Sequence, residues 1–200
     1  MEKFTTLCAI AAPFPRKNVD TDFIIRVERC TGTPREALGK YAFEMARYLP
    51  GGAENPDFVF NQAPWRNAKI LVGAENFGTG SSREMAVWAI AGMGVRCIIA
   101  PSYGQIFFGN CFQNGLLPVC LPQATVTALA KLAQDPATST FTVDLETQTI
   151  NGTIAFEIEP RRKKMLLEGQ DEIGLTLALE PKIAAFQSAD RLRRPWIYPG

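Results

Sequence analysis

The stretch from residue 69 to residue 121 constrains the fold most, because short apolar runs and helical patterns alternate along it. Strands are predicted at 69–74, 95–100 and 116–121, and helices at 82–93 and 102–113. This alternation is typical of a parallel sheet whose crossover connections are helices. We therefore predict an α/β fold, with ligands expected beyond the carboxyl ends of the strands.

A glycine turn joins the first of these strands to the first helix, with the sequence Gly78-Thr79-Gly80-Ser81-Ser82-Arg83-Glu84. Glycines let backbone amides approach a ligand closely, and the first helical turn leaves about four N–H groups without helical partners. The helix dipole adds positive potential, so the turn is predicted to bind an anion. The two hydroxyls and the guanidinium suit a carboxylate, and Ser81 is a candidate base.

A purely structural alternative stays open for the same turn. Ser81 and Glu84 have the spacing of a capping box, in which a serine and a glutamate satisfy the first amides of a helix. In the helix that follows, Met85, Ala86 and Ala89 fall on one face with other apolar residues, so Met85 is predicted to belong to the core.

Length and composition bound the class of protein. The 200 residues are 46% apolar and 20% charged, which predicts a single domain over 1–200 with a helical tail at about 160–200. No apolar run reaches the length of a membrane span and the first residues lack a secretory pattern, so we expect a cytoplasmic protein without a membrane partner. A net charge of +1 gives no general attraction for nucleic acid.

The cysteine and histidine counts limit the chemistry. Five cysteines show no Cys-x-x-Cys pair, and there is no histidine. The composition excludes histidine-based zinc sites and Ser-His or Cys-His catalysis within this chain. We expect no metal site here, and any metal or cluster is expected on another chain.

The rest of the chain is less regular. A first strand is predicted at 4–10, an extended segment at 23–27, a helix at 34–48, strands at 141–145 and 150–158, and a last helix at 181–192. Asp20 and Asp22 lie in a polar turn before the extended segment. Because aspartates in turns bond their own backbone, a turn is favoured over a metal pair.

Several motifs in order carry a resemblance to a known family. They are Asp20-Thr21-Asp22-x-Ile24-Ile25, Asn76-Phe77-Gly78-x-Gly80-Ser81-Ser82-Arg83-Glu84, Ile99-Ala100-Pro101-Ser102, Asn114-Gly115-Leu116-Leu117-Pro118 and Gly169-x-Asp171-x-Ile173-Gly174-Leu175-Thr176-Leu177. Together they span most of the chain. The sequence resembles the small subunits of 3-isopropylmalate dehydratase, in the aconitase superfamily.

The resemblance implies a swivelling β/β/α domain that closes over a large subunit, which bears a [4Fe–4S] cluster, with no cofactor bound by this chain. It implies a hydro-lyase that isomerises a hydroxy di- or tricarboxylate by dehydration and rehydration, here 2-isopropylmalate to 3-isopropylmalate in leucine biosynthesis. By position Ser81 is the base, Ser82 and Arg83 hold a substrate carboxylate, and the amides of Thr79, Gly80 and Ser81 stabilise developing negative charge.

Departures from the family pattern leave alternatives open. The family usually has histidine at Met85, often cysteine at Thr79, and commonly glutamine and proline at Phe23 and Arg26. In that family the loop after the segment that corresponds to 23–27 contacts the variable part of the substrate, so Arg26 is a candidate substrate-binding residue. A related hydro-lyase acting on another substituted malate is one alternative, and a non-catalytic, anion-binding regulatory subunit is another.

Overall fold

The computed structural model describes residues 1–80 and 83–198. Within them seven strands form one sheet: β1 (Thr6–Pro13), β2 (Ile70–Val72), β3 (Cys97–Ala100), β4 (Leu117–Cys120), β5 (Thr140–Asp144), β6 (Thr149–Ile150) and β7 (Ile154–Ala155). Their order across the sheet is β4-β3-β2-β1-β5-β6-β7. The predicted strands of the 69–121 stretch are confirmed as β2, β3 and β4.

The sheet has a parallel half and an antiparallel half. Strands β1 to β4 run parallel, with Ala11 opposite Ile70 and Ile70 opposite Cys97. On its other edge β1 pairs antiparallel with β5, placing Ala9 opposite Phe141, and β6 and β7 continue in that sense. The predicted α/β class is confirmed, and the parallel half brings the carboxyl ends of β1, β2 and β3 to one edge.

The helices of the described residues include α1 (Thr21–Ile24), α2 (Val27–Cys30), α3 (Glu44–Arg47), α4 (Glu84–Gly92), α5 (Gln105–Gln113), α6 (Gln123–Gln134), α7 (Pro160–Glu168), α8 (Glu172–Leu177) and α9 (Glu180–Arg193). Short 3₁₀ segments lie at Arg35–Tyr41, Val59–Asn61, Trp65–Asn67 and Pro195–Ile197. The helices predicted at 82–93, 102–113 and 181–192 are confirmed as α4, α5 and α9.

Two predictions for the first third of the chain are wrong. The segment predicted as extended at 23–27 lies across α1 and α2, because the Asp20 carboxylate accepts a 2.6 Å hydrogen bond from the Phe23 amide and caps α1. The single helix predicted at 34–48 is a 3₁₀ segment followed by α3. Phe43 separates the two because it takes a left-handed backbone conformation, with φ of 55°, which cannot continue a helix.

Each face of the parallel sheet packs against its own helices. Successive strand residues point to opposite faces, so Leu71 and Ile98 join the core under α4, whereas Ile70 and Val72 join the core under α6. Both sets are fully buried, as expected for parallel strands covered on both sides. On α4 Ala86 and Ala89 are buried and Met85 is half-buried against the same core, in agreement with the predicted apolar face.

The 3₁₀ segment Arg35–Tyr41 packs directly on the backbone of α4. A Cβ atom added to Gly39 would lie 2.2 Å from the carbonyl oxygen of Gly92, inside any permitted contact. Only glycine therefore lets these two backbones touch. Among the described residues no helix is long and apolar enough to cross a membrane.

Candidate active site

Three loops meet at the carboxyl ends of β1, β2 and β3 and hydrogen-bond to one another. The Phe77 amide donates to the Ser102 carbonyl at 3.0 Å, the Gly78 amide to the Val19 carbonyl at 2.7 Å, and the Gly104 amide to the Phe77 carbonyl at 2.9 Å. Gly78, which starts the predicted glycine turn, thus lies between the loops that follow β1 and β3. This edge is where open parallel sheets bind their ligands.

Two glycines give this turn its path. Gly78 has φ of +71°, and a Cβ atom there would lie 2.2 Å from the ring of Phe107. A Cβ atom on Gly104 would lie 2.3 Å from the Gly78 carbonyl oxygen. A larger residue at Gly78 would collide with α5, and one at Gly104 would push the loop after β3 away from Gly78, so only glycines permit this close packing.

Thr79 and Gly80 lie against the loop that follows β1. Thr79 forms a β-bridge with Asp20, its amide donates to the Val19 carbonyl at 3.1 Å, and its carbonyl accepts from the Thr21 amide at 3.0 Å. Gly80 is exposed, with φ of +89°. An anion would have to compete with Val19 for the Thr79 amide in this conformation, so the charge-stabilising role of the two amides stays a prediction.

Ser81 and Ser82 lie outside the described residues, and the roles expected for them stay predictions. The residues that follow bear on the capping-box alternative. Helix α4 begins at Glu84, with Arg83 at its N-cap position. A capping box needs its glutamate at the third helical position, whereas Glu84 is the first helical residue. The capping-box interpretation is therefore wrong.

Arg83 is positioned by an aspartate of helix α1, which follows β1. Its Nη1 donates to the Asp22 carboxylate, and the Arg83 side chain is 19% exposed while that of Asp22 is 60% exposed. The hydrogen bond from this carboxylate raises the pKa of the Arg83 guanidinium. A permanent, oriented cation therefore lies beside the glycine turn, with more N–H donors than the Asp22 contact uses.

The sequence prediction missed this use of Asp22. The two residues are 61 positions apart, so their pairing depends on β1 and β2 being parallel neighbours. The sequence signal that could have indicated this pair was a charged residue following each of two neighbouring strands. Asp20 caps α1 instead, which agrees with the turn favoured over a metal pair.

Arg26 belongs to a neighbouring charged surface. It precedes α2 and donates to Glu28 at 3.0 Å, with 45% of its side chain exposed. Together with Tyr41, Met45 and Tyr48 it lines an open groove of about 570 Å³. Its role in substrate binding stays a prediction.

Glu44 and Cys30 lie next to the charged residues of α2 and of the segment before it. A two-pronged contact from Arg29, at 2.9 and 2.5 Å, lowers the pKa of Glu44 in the groove wall. The Cys30 thiol lies 3.5 Å from the Arg26 carbonyl. Burial raises the pKa of Cys30, and the charge of Arg83 opposes that rise.

The cysteines do not fit a [4Fe–4S] cluster. Cys97 and Cys111 are fully buried, and burial raises their pKa values far above the ordinary thiol range. Cys8 and Cys120 are exposed on different strands. In residues 1–80 and 83–198 no group of three histidine, cysteine, aspartate or glutamate side chains is placed to hold a metal ion. Cluster ligation needs converging thiolates.

Comparisons with known proteins agree with this architecture. A sequence model of the aconitase C-terminal domain matches residues 1–124, and one of the C-terminal domain of the 3-isopropylmalate dehydratase small subunit matches residues 172–199. The 3-isopropylmalate dehydratase small subunits of Paramagnetospirillum magneticum and Rhodospirillum rubrum are each 51% identical to this chain. The alignments cover 98% of it in both cases, with 100% and 97% of the respective relatives.

A solved structure gives the same fold. The crystal structure of 3-isopropylmalate dehydratase from Methanocaldococcus jannaschii superposes with a TM-score of 0.62 and covers 92% of this chain and 99% of that one. The sequences are 24% identical, so this likeness shows the fold alone. The fold expected from the resemblance is confirmed.

Proposed function

Because this chain belongs to the family of 3-isopropylmalate dehydratase small subunits, we propose that it supplies half of the active site of the enzyme that converts 2-isopropylmalate to 3-isopropylmalate. The enzyme is a hydro-lyase of the aconitase superfamily and acts with a large subunit. The observation that carries the proposal is the glycine turn, which lies at the carboxyl ends of the parallel strands with Arg83 oriented beside it. Full-length identity of about half to the named relatives supports it.

The reaction moves a hydroxyl group between adjacent carbons. A proton is taken from one carbon as the hydroxyl leaves its neighbour, and water is then added back to the resulting double bond in the opposite sense. We assign the base to Ser81, and carboxylate binding to Ser82 and Arg83. A guanidinium matches the planar geometry of a carboxylate, and Asp22 holds Arg83 in place for that contact.

The isolated chain is a poor catalyst by this account, because a serine hydroxyl is a weak base in water. An exposed helix dipole supplies only about 0.3–1 kcal/mol. Closure against the large subunit would exclude water and strengthen each electrostatic contact around the turn. We therefore propose that docking is part of the mechanism, and the amides of Gly80 and Thr79 contribute only in the closed complex.

The proposal places the iron–sulfur cluster on the large subunit, since the cysteines of this chain do not fit one. The cluster would supply a Lewis acid for the substrate hydroxyl and carboxylate. The part of this chain is to bind the opposite side of the substrate and to take up the proton. A cytoplasmic location is proposed with it.

A second substrate deserves testing because of Arg26. Arg26 lies before the 3₁₀ segment Arg35–Tyr41, and its cation borders the groove lined by Tyr41, Met45 and Tyr48. A malate with a polar or anionic substituent would suit that cation better than an isopropyl group. The related hydro-lyase is therefore the second candidate function.

Reconstitution tests both candidates. The chain is mixed with its cognate large subunit, the cluster is restored anaerobically, and turnover is followed for malates bearing alkyl, carboxyl and aryl substituents. The proposal expects the highest kcat/KM for 2-isopropylmalate, and no turnover by either protein alone. Turnover of another malate in preference would favour the second candidate, and no turnover of any malate would contradict both.

A further inference from the structure

We propose that Asn114 is a positioning residue for this reaction, because its side-chain amide fixes the first residue of α4 and thereby the direction of Arg83. The inference rests on the proposed function of the glycine turn. The sequence predicts only that the helix over 102–113 ends just before Asn114. The contacts of the Asn114 side chain indicate a role in holding the start of α4 as well.

All the hydrogen-bonding capacity of the Asn114 amide is used. Its Oδ1 accepts from Arg35 at 2.7 Å and from the Trp88 indole at 2.8 Å. Its Nδ2 donates to Glu84 Oε1 at 2.8 Å and to the Asn110 carbonyl at 2.9 Å. Two accepted and two donated bonds are the full inventory of an asparagine amide. Such a group has one orientation, so it can hold its neighbours in a fixed arrangement.

The anchor is rigid and the residue it holds is next to the site. Asn114 is the C-cap of α5, where its backbone amide donates to the Cys111 carbonyl at 3.1 Å. Glu84 opens α4 and follows Arg83 directly. A shift of the Glu84 side chain would therefore be carried to the backbone that presents the guanidinium. The Glu84 carboxylate also suits the positive end of its helix.

The same amide reaches the segment beside the proposed substrate groove. Arg35 starts the 3₁₀ segment and its guanidinium lies 5.0 Å from the centre of the Trp88 ring. Further along that segment, Gly39 touches the backbone of α4 at Gly92. Asn114 thus joins three pieces at one point: the end of α5, the start of α4 and the start of the 3₁₀ segment.

The test compares Asn114→Ala, Glu84→Ala and the double variant in the reconstituted complex, with kcat/KM expressed per folded complex. Misplacing a binding group by about 1 Å can lower a rate by about 100-fold, and a loss of that order is expected for Asn114→Ala. If Asn114 acts through Glu84, the double variant loses no more than the worse single variant, because the two residues form one unit.

Asn61→Ala is the matched control. Asn61 is buried, and its amide donates to the carbonyls of Arg47 and Asn55 at 2.7 and 2.9 Å, neither of which belongs to α4. It is expected to lower the melting temperature while kcat/KM per folded complex stays within about twofold, far below the effect of a misplaced site. Hydrogen exchange at the amides of 84–93 in the isolated chain is expected to rise for Asn114→Ala and not for the control.

The outcomes separate the inference from the function on which it rests. If the wild-type complex is active and the Asn114→Ala complex is as active as the control, the inference alone is overturned. Independent, additive losses for Asn114 and Glu84 would also overturn it. An inactive wild-type complex would overturn the proposed function and the inference with it.

Discussion

Replacing Arg83 with lysine tests the binding geometry of the site while keeping its charge. The guanidinium offers two parallel N–H donors to a carboxylate, whereas an ammonium offers a single point charge. The Arg83→Lys side chain can still pair with Asp22, whose carboxylate is 60% exposed. The change is therefore expected to affect the contact with the substrate more than the fold.

The two effects differ in size. The Arg83–Asp22 pair lies partly in solvent and contributes at most about 1 kcal/mol, so the melting temperature is expected to fall by no more than about 2–4 °C for a chain of this length. Losing one charged hydrogen bond to the substrate costs about 1.5–3 kcal/mol. At about 1.4 kcal/mol per factor of ten, this is about a 10- to 150-fold loss in kcat/KM.

Arg66→Lys is the control, because Arg66 makes a two-pronged contact with the Glu54 carboxylate at 2.9 and 2.7 Å, the geometry proposed for Arg83 and the substrate carboxylate. Both variants are assayed with the large subunit and an intact cluster, and initial rates are divided by the concentration of folded complex. Equal kcat/KM for Arg83→Lys and Arg66→Lys would refute the assignment of Arg83 to the substrate carboxylate.

The groove and the buried thiols provide three more tests. Arg26→Pro, which its φ of −67° permits, is expected to change the kcat/KM ranking of substituted malates, and an unchanged ranking would remove Arg26 from specificity. Glu44→Gln is expected to lower the melting temperature at pH 7. Its arginine partner depresses the pKa of Glu44 below the ordinary 4.5. The stability that the ion pair contributes is therefore present above that value and is lost as pH falls through the folded-state pKa. A difference in melting temperature between wild type and Glu44→Gln that stays the same in acid would contradict this. A maleimide is expected to label native Cys8 but not Cys97 and Cys111, whose burial excludes the reagent and raises the thiol pKa. The number of labels is measured by intact mass, and labelling of Cys97 or Cys111 in the native protein would contradict the prediction.

The parallel half of the fold could be predicted from sequence because its signals are local. Buried strands such as β2 and β3 are continuous apolar runs, and glycine turns mark where helices begin. Helix α6 was missed although Val126, Leu129 and Ala133 have helical spacing and are buried. Its mixture of small and polar residues gives a weaker pattern than the strands on which it packs.

The contacts that build the site depend on the tertiary fold. Nothing near Arg83 in sequence indicates that Asp22 holds it, because that pair forms only when β1 and β2 align. The four bonds of Asn114 likewise come from three separate segments. Phe43 shows the same limit for local structure, since its left-handed conformation breaks a helix that its own sequence favours.

The most direct test of the account is Ser81→Ala in the assembled enzyme. The central claim is that this chain supplies the base, and losing a base lowers turnover by about 10²- to 10⁴-fold. If Ser81 had only a structural role, its loss would lower the melting temperature and leave turnover per folded complex nearly unchanged. We predict a turnover loss on the base scale, with docking to the large subunit and cluster content unchanged. Turnover per folded complex within about twofold of wild type, far from the base scale, would contradict the claim.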